Sequence, residues 1–514
     1  MIARSHAQDP GEARTALYPY TLPAVDRGLS TAEGPGPAGL STLASRARVA
    51  ATLDRTGRTG APYAAGRVIV KFRDGTSSAV RLKSLALASK TSATSEQPSY
   101  ANFEIVRIDP NEDAEAVADA LRQRPDVEYA QAAYRVHKMF VPNDQFYKQV
   151  QWNLPLIDME RAWDIQGTAG SAITVAILDS GIAFENKVIR FRGQAFTDDS
   201  DNFHEALGTV DIPFAAATDL FTPDRFVAPH DFIWDDNDPV DLDGHGTHVT
   251  GTIGELTNNG IGLAGVAFNV KLMPVKVIEG DWDLIFGAPN EGTDETVARG
   301  IRYAADHGAK VINMSIGRTG PEAPVIEAAI RYAVGKGVFV AIAAGNDFLD
   351  GNPTEVIAEI ASRVQGAVSV GAVDRNSDRA FYSSSAGWVE LVAPGGSSRT
   401  RGFVPFDSVV FQQTVDLTFG VCLVEPNACG TRPSLTAPRF DVFNYFGFQG
   451  TSMATPHVSG LAAMLMQQGL TNPAAVEAAL ERFAKDLGAP GRDSDFGFGL
   501  IQARDTLRGL GLSK

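Results

Sequence analysis

Gly450-Thr451-Ser452-Met453-Ala454-Thr455-Pro456-His457, reading GTSMATPH, runs directly into the apolar stretch Val458 to Met466. Small and apolar residues on every side predict a helix buried over most of its surface, with Pro456 tolerated because it falls in the first turn. Gly450 is read as the residue that lets the backbone turn tightly ahead of it. Ser452 is thereby placed at a helix N-terminus, where free backbone N–H groups and the positive end of the macrodipole gather. A serine oxygen attacking a carbonyl there would have donors for the developing negative charge. The same residue also reads as an N-cap, a position that favours serine, so the rest of the chain has to decide between the two.

Working outward, continuously apolar segments at 173–178, 271–277, 310–315, 338–343 and 367–373 predict strands, with helical patterns at 245–255, 294–307, 321–335 and 473–484 around them. Strands buried on both faces and separated by helices imply a three-layer α/β/α arrangement on a mostly parallel sheet. In such sheets functional groups collect beyond the carboxyl ends of the strands. Two insertions, about 190–230 and about 397–447, do not read as regular structure. Ahead of this unit, 66–140 alternates strand, helix, strand, helix and strand, a small α+β domain. Residues 1–65 are rich in Pro, Gly, Ala and Ser without periodicity and read as a disordered leader. The large unit spans 141–510.

The chain has 514 residues, 44% hydrophobic and 21% charged, the balance of a globular protein. A net charge of −16 argues against a nucleic-acid partner and suits a surface that holds cations. No apolar run of 18 residues or more occurs, which argues against a membrane-spanning helix. The polar opening Met1 to Arg14 lacks the apolar core of a secretory signal, so either export is absent or the true start lies upstream. Cys422 and Cys429 share a Pro-, Asn- and Gly-rich stretch; a local disulfide and a reduced pair are both open.

Asp179 ends an apolar strand and reads as a turn former or as the carboxylate that orients a histidine. Asp243-Gly244-His245-Gly246-Thr247-His248 places two histidines on one helix face, open to a metal reading, but no third ligand suggests itself. His245, at the helix start, is the better general base, and His248 fits the wall, held by a structural hydrogen bond. Asn346, directly after the strand at 338–343, is a turn cap or an amide donor to an oxyanion. Asp231, Asp236 and Asp238 crowd the loop before the base, where repulsion calls for solvent or a hard cation such as Ca²⁺.

LDSGI at 178–182, DGHGTHVTGT at 243–252, INMSIG at 312–317, AAGN at 343–346 and GTSMATPHVSG at 450–460 together resemble the subtilisin-like serine proteases. The resemblance runs from about 143 to 502 and carries the family's Asp, His, Ser order. It implies a serine endopeptidase with Ser452 as nucleophile, His245 as base and then acid, Asp179 as orienting carboxylate and Asn346 as oxyanion donor. It also implies that Ser315, Ile316 and Gly317 pair with an extended polypeptide substrate, and that Ala343, Ala344 and Gly345 wall a roomy, apolar pocket for the residue before the cut bond. The unit at 66–140 resembles the family's propeptide, an inhibitor and chaperone cut near 137–142; a permanent accessory domain is the other reading.

Members of the thermitase type draw calcium to the 231–239 loop, and the stretch 256–263 resembles the family's calcium loop. There the carbonyls of Leu256, Ile261 and Leu263 would join Asn259 and Asp144. The family's His-Pro-Asp after the first catalytic carboxylate is replaced by Ala183-Phe184-Glu185-Asn186, which leaves one carboxylate ligand unassigned. The resemblance further implies a secreted or extracytoplasmic monomer. Two other classes compete. A non-catalytic peptide-binding protein would need none of the four catalytic side chains, and a metal hydrolase would centre on His245 and His248.

Overall fold

The computed structural model describes residues 63–89, 93–134, 140–197, 203–416 and 438–509. Residues 1–62 of the expected leader, both cysteines and residues 137–139 of the expected cut region lie outside the described residues, while Tyr63 to Ala65, read as leader, open the first strand. The chain divides into two units, with the division between Met139 and Phe140.

In the first unit, β1 (Tyr63–Phe72), α1 (Ser78–Ala88), β2 (Thr94–Glu96), β3 (Glu104–Arg107), α2 (Ala114–Arg122) and β4 (Val127–Tyr134) follow one another. The strands form an antiparallel sheet in the order β2-β3-β1-β4. Alternate residues of β1, Val68, Val70 and Phe72, point to one face, where Val117 and Leu121 of α2 cover them. Asp113 caps α2 by accepting from the Glu115 and Ala116 N–H groups. The short β2 is an addition to the elements read from the sequence.

The second unit is built on seven parallel strands: β5 (Thr174–Asp179), β8 (His230–Asp231), β9 (Lys271–Lys276), β10 (Val311–Met314), β11 (Phe339–Ala343), β12 (Ala367–Val373) and β13 (Leu391–Pro394). Their order across the sheet is β8-β9-β5-β10-β11-β12-β13. The period of two sorts each strand between two cores. Val175 and Ile177 join the core of α3 (His245–Gly254), α6 (Thr451–Gln467) and α7 (Pro473–Arg482). Ala176 and Leu178 join the core of α4 (Asp294–Asp306) and α5 (Pro324–Gly335) on the other face. Continuing the parity, Asp179 falls at the carboxyl end of β5 on the face of α3 and α6. Truncating one of these fully buried side chains, Ile177→Ala, would cost about 2–5 kcal/mol.

Both insertions contain regular structure, contrary to the sequence reading. The first carries the antiparallel ribbon β6 (Lys187–Gly193) with β7 (Gly208–Phe214), and the second pairs β14 (Val410–Val415) with β15 (Phe443–Phe448). The alternation in β6 is half-exposed, and its partner comes only after a long connection. In β14 the residues Gln412, Gln413 and Thr414 are all buried. Polar residues at core positions erase the apolar signal, so burial there is carried by hydrogen bonds.

Candidate active site

Asp179 Oδ1 accepts from His245 Nδ1 at 2.7 Å and from the Ser180 N–H at 2.8 Å. A carboxylate only accepts, so Nδ1 carries the proton and the neutral ring presents Nε2 as its basic atom. Burial alone would lower the imidazolium pKa, but the charge and hydrogen bond of Asp179, with Asp243 and Asp241 behind, raise it to about 9. Asp241 was not singled out in the sequence. It holds the start of α3 by accepting from the Gly244 and Thr247 N–H groups and from the Ser180 hydroxyl, at 2.7, 2.9 and 3.0 Å. That is capping from three residues outside the helix, and a negative charge at the positive end of the dipole.

Three residues on, His248 meets the opposite environment. Its Nε2 donates to the Phe446 carbonyl at 3.1 Å, its ring stacks on Phe448, and burial lowers its pKa to about 3. It is the wall histidine, and nothing in its surroundings makes a metal pair with His245. His457 is likewise buried, bonded to Met453 and Asn153, and lowered to about 4.

Ser452 lies in the first turn of α6, which packs along α3. Its hydroxyl donates to the Ser315 carbonyl at 3.2 Å, a long bond, and no hydrogen bond joins it to His245. The Ser315 hydroxyl in turn donates to the Ser452 carbonyl at 2.8 Å and accepts from Asn313 Nδ2 at 3.0 Å, while Ser459, two turns further along α6, donates to Asn313 Oδ1 at 2.8 Å. Asn313 sits on the α6 face of β10 by the same parity as Asp179, a position legible in INMSIG only once the sheet is known. These bonds lock the helix start to the segment 315–317.

Asn346 follows β11, and its Oδ1 accepts from the Thr451 N–H and hydroxyl at 2.9 and 3.0 Å. With its oxygen so held, the amide turns Nδ2 away from Thr451, and Nδ2 donates to no group among the described residues. Gly450 has φ 160°, extended backbone open to any residue, so the expected tight turn is not why glycine stands there. A Cβ at Gly450 would clash with nothing, but it would stand 3.6 Å from both Asn346 Nδ2 and the Ser452 N, in ordinary contact with two donors that glycine leaves uncovered. Ala343, Ala344 and Gly345 follow β11 as Ser315, Ile316 and Gly317 follow the neighbouring parallel β10, and the Gly345 N–H donates to Thr451 Oγ1 at 3.2 Å. The wall is not purely apolar, however, because the buried carboxyl group of Glu355 packs against both Gly317 and Gly345.

The acidic loop does not gather its carboxylates. Asp231 is buried and caps its own turn by accepting from the Ile233 and Trp234 N–H groups, Asp236 accepts from the Asp238 N–H, and Asp238 pairs with Lys187 at 2.7 Å. Burial raises the Asp231 pKa to about 7, although nearby Lys276 lowers it. The loop at 256–263 differs. Asp144 accepts from the Asn258 and Asn259 N–H groups at 2.8 and 3.0 Å, and Asp219 accepts from Asn259 Nδ2 at 2.6 Å and the Leu263 N–H at 3.0 Å.

Asp219 and Glu255 are both fully buried and share a hydrogen bond. Burial raises both, Asp219 to about 7. The nearest cation, Arg225, spends its donors on the Leu220, Gly254, Phe268 and Val270 carbonyls. A Cβ at Gly262 would strike Asp219 Oδ2, so the loop closes directly over the carboxylate. Asp144, Asp219, Glu255 and Asn259 are hard oxygen donors of the type Ca²⁺ takes, and among the described residues no lysine or arginine bonds them, although their carboxylate oxygens do not already converge on one point.

A model of the subtilase family matches residues 170–499, and a model of the fervidolysin N-terminal prodomain matches residues 50–132. The chain is 29% identical over 436 residues to the thermophilic serine proteinase of Bacillus sp. (strain AK1), covering 85% of this chain and 86% of that one. It is 29% identical over 352 residues to thermitase of Thermoactinomyces vulgaris, covering 68% and 94%. Among solved structures it resembles a protease from Pseudoalteromonas arctica, with TM-score 0.52, 25% identity and coverage of 72% and 99%. It also shares its fold with fervidolysin from Fervidobacterium pennivorans, with TM-score 0.50, 21% identity and coverage of 87% and 61%.

Proposed function

This chain belongs to the subtilase family of serine proteases, a serine endopeptidase with a prodomain, and from that premise we propose that Ser452, His245, Asp179 and Asn346 carry its chemistry. Ser452 Oγ leaves its long bond to Ser315 and attacks the peptide carbonyl while His245 Nε2 takes its proton. Asp179 keeps Nδ1 protonated and stabilises the imidazolium. The carbonyl oxygen becomes an oxyanion between Asn346 Nδ2 and the Ser452 N–H, in the space that glycine at 450 leaves open. His245 returns the proton to the leaving amine, and water repeats the sequence on the acyl-enzyme. Ser315, Ile316 and Gly317 offer strand-like backbone to an extended substrate.

The observation that supports this most is the hydrogen-bonded pair of Asp179 and His245, with Nε2 unengaged among the described residues, at the sheet end and face where α6 presents Ser452. The absent Ser452 to His245 bond fits an unliganded enzyme, in which such bonds are often long or unmade. We assign residues 66–140 as a propeptide that the enzyme removes itself near 137–142. Ca²⁺ is assigned to Asp144, Asn259 and the carbonyls of Leu256, Ile261 and Leu263, with Asp219 supplying the carboxylate missing after residue 183. Bound there, the ion would neutralise buried charge and hold the loop. A site of this kind suits calcium-rich surroundings outside the cytoplasm.

A serine-reactive phosphonate probe should label Ser452 in the mature enzyme, and Ser452→Ala should fold, stay uncut near 137–142 and lose peptide hydrolysis by about 10⁴-fold or more. Retained hydrolysis, or normal self-cut fragments from that variant, would overturn the assignment.

A further inference from the structure

Between the two segments that wall the pocket lies a group the apolar reading does not accommodate. Glu355 is nearly fully buried, and its Oε2 has no hydrogen-bond partner. The Val356 N–H bonds to the Arg318 carbonyl at 3.1 Å, which fixes Glu355 beside the end of the 315–317 segment. Its carboxyl group presses between two glycines. A Cβ at Gly317 would stand 2.8 Å from Oε2, and one at Gly345 would meet the Glu355 side chain and stand 2.9 Å from Ser384 Oγ. Gly345 also has φ +98°, a conformation that only glycine holds easily. Ser384 Oγ is itself buried without a partner. The Glu355 carboxyl group thus packs against both glycines, with Ser384 Oγ near Gly345, and each of the two side chains has an oxygen without a hydrogen-bond partner among the described residues. Unmet buried acceptors of this kind are costly unless a donor arrives.

Asp347, one residue past Asn346, adds a second acid within hydrogen-bonding reach of Glu355. Burial, then the hydrogen bond and charge of Asp347, push Glu355 up to about 8, with Arg318 opposing weakly. Arg318 does not neutralise it, because its guanidinium is committed to Asp294 at 2.7 and 2.6 Å and to the Thr319 and Pro321 carbonyls. Arg379, the other cation on this side, is committed to Asp495 and the Ser383 carbonyl. Among the described residues, no lysine or arginine is hydrogen-bonded to the Glu355 carboxyl group, and Arg318 acts on it only at a distance.

We propose that Glu355, supported by Asp347, makes this a pocket for a cationic side chain, so that the enzyme cuts after lysine or arginine. The inference rests on the reading of Ser452 as nucleophile and of 315–317 and 343–345 as pocket walls. A lysine ammonium or an arginine guanidinium reaching between Gly317 and Gly345 supplies the donor that Oε2 lacks and draws Glu355 into its ionised form. A neutral apolar side chain leaves that oxygen unmet, the asymmetry by which polar sites reject apolar analogues.

Two measurements test it separately from the catalytic assignment. First, paired peptide substrates differing only in Lys, Arg, Leu or Phe before the cut bond are compared on mature wild type and Glu355→Gln, each normalised by titration with the phosphonate probe. Wild type should favour Lys and Arg, and the ratio of kcat/KM for Lys over Leu should fall about 30-fold in Glu355→Gln. A wild-type preference for Leu or Phe, or an unchanged ratio in the variant, overturns the proposal while leaving the nucleophile assignment intact. Second, p-aminobenzamidine is titrated into Ser452→Ala, after removal of the N-terminal unit by an added protease, with and without Glu355→Gln. Saturable binding that needs Glu355 supports the proposal even if Ser452 is not the nucleophile; equal binding, or none, overturns it. Matching melting temperatures in both pairs assure that Glu355→Gln is folded.

Discussion

Two regions of the large unit bury carboxylates beside α3, and they neutralise them in opposite ways. Under the acidic loop, Asp283 is fully buried but takes both oxygens to Lys276 at 2.8 and 2.9 Å, with Lys276 also bonded to the Val240 carbonyl. Burial alone would lower Lys276, yet the charges of Asp283 and Asp231 raise it. Around that pair Asp238 meets Lys187, and Arg299 lies 3.7 Å from Asp235. At the other end of α3, Asp219 and Glu255 share a hydrogen bond and have no lysine or arginine bonded to them. The loop that is richer in acid along the sequence already holds its cations as side chains. The one that reads as poorer has no lysine or arginine bonded to its buried acids among the described residues, and it is the one to which the calcium proposal is attached. Density of aspartates along a chain is therefore a weaker guide to a cation site than the balance of charge after folding.

The largest expected effect breaks the first region. Lys276→Met leaves Asp283 and Asp231 buried without their cation and should cost about 3–5 kcal/mol by urea unfolding. Added calcium should not restore the loss; restoration would mean that the two regions are not distinct. Next, calcium at 100-fold over its dissociation constant should stabilise the wild type by about 2.7 kcal/mol, seen as a raised Tm. Asp219→Asn should remove that response, and a flat wild-type titration would end the calcium assignment.

An intermediate case is Asp179, whose partner can itself lose charge. His245 is raised from 6.5 to about 9, so the imidazolium pair stabilises fully below about 6.5 and this contribution fades as pH rises through 9. Catalysis needs the neutral ring, so kcat/KM should climb from neutral pH and level near 9 while this part of stability declines. A flat profile from pH 6 to 10 would contradict the raised value. Smallest of all, Asp236→Asn, on an exposed and self-bonded turn, should stay within about 0.5 kcal/mol of wild type and keep the calcium response.

The sheet was legible because its central strands are apolar at nearly every position, with Asn313 and Ser369 as buried, hydrogen-bonded exceptions, as strands covered on both faces require. Ser452, His245, Asp179 and Asn346 were legible because each sits where a strand ends or a helix begins, beside small residues. What escaped the sequence reading was set by contacts between distant segments. Asp219 takes its position only after a ribbon inserted behind Glu185, and Glu355 reaches the pocket wall from beyond a turn that follows Asn346. The edge strand β13 and the paired strand β14 were hidden for other reasons: β13 is four residues long, and β14 buries glutamines. The expected apolar pocket was read from its small wall residues alone, and the buried Glu355 packed against Gly317 and Gly345 could not be placed there from the sequence.

The ribbon of β14 and β15 touches both ends of α3. Thr414 bonds the Gly244 carbonyl ahead of His245, Phe446 accepts from His248, and Gln413 accepts from the Asp219 N–H and donates its own N–H to Glu255. One strap thus spans the base and the ion loop, so slack introduced at one end is transmitted to the other. With the proposed ion in that loop, a chelator should lower hydrolysis before it melts the protein, because the strap that leans on the loop also holds the helix start that carries the base.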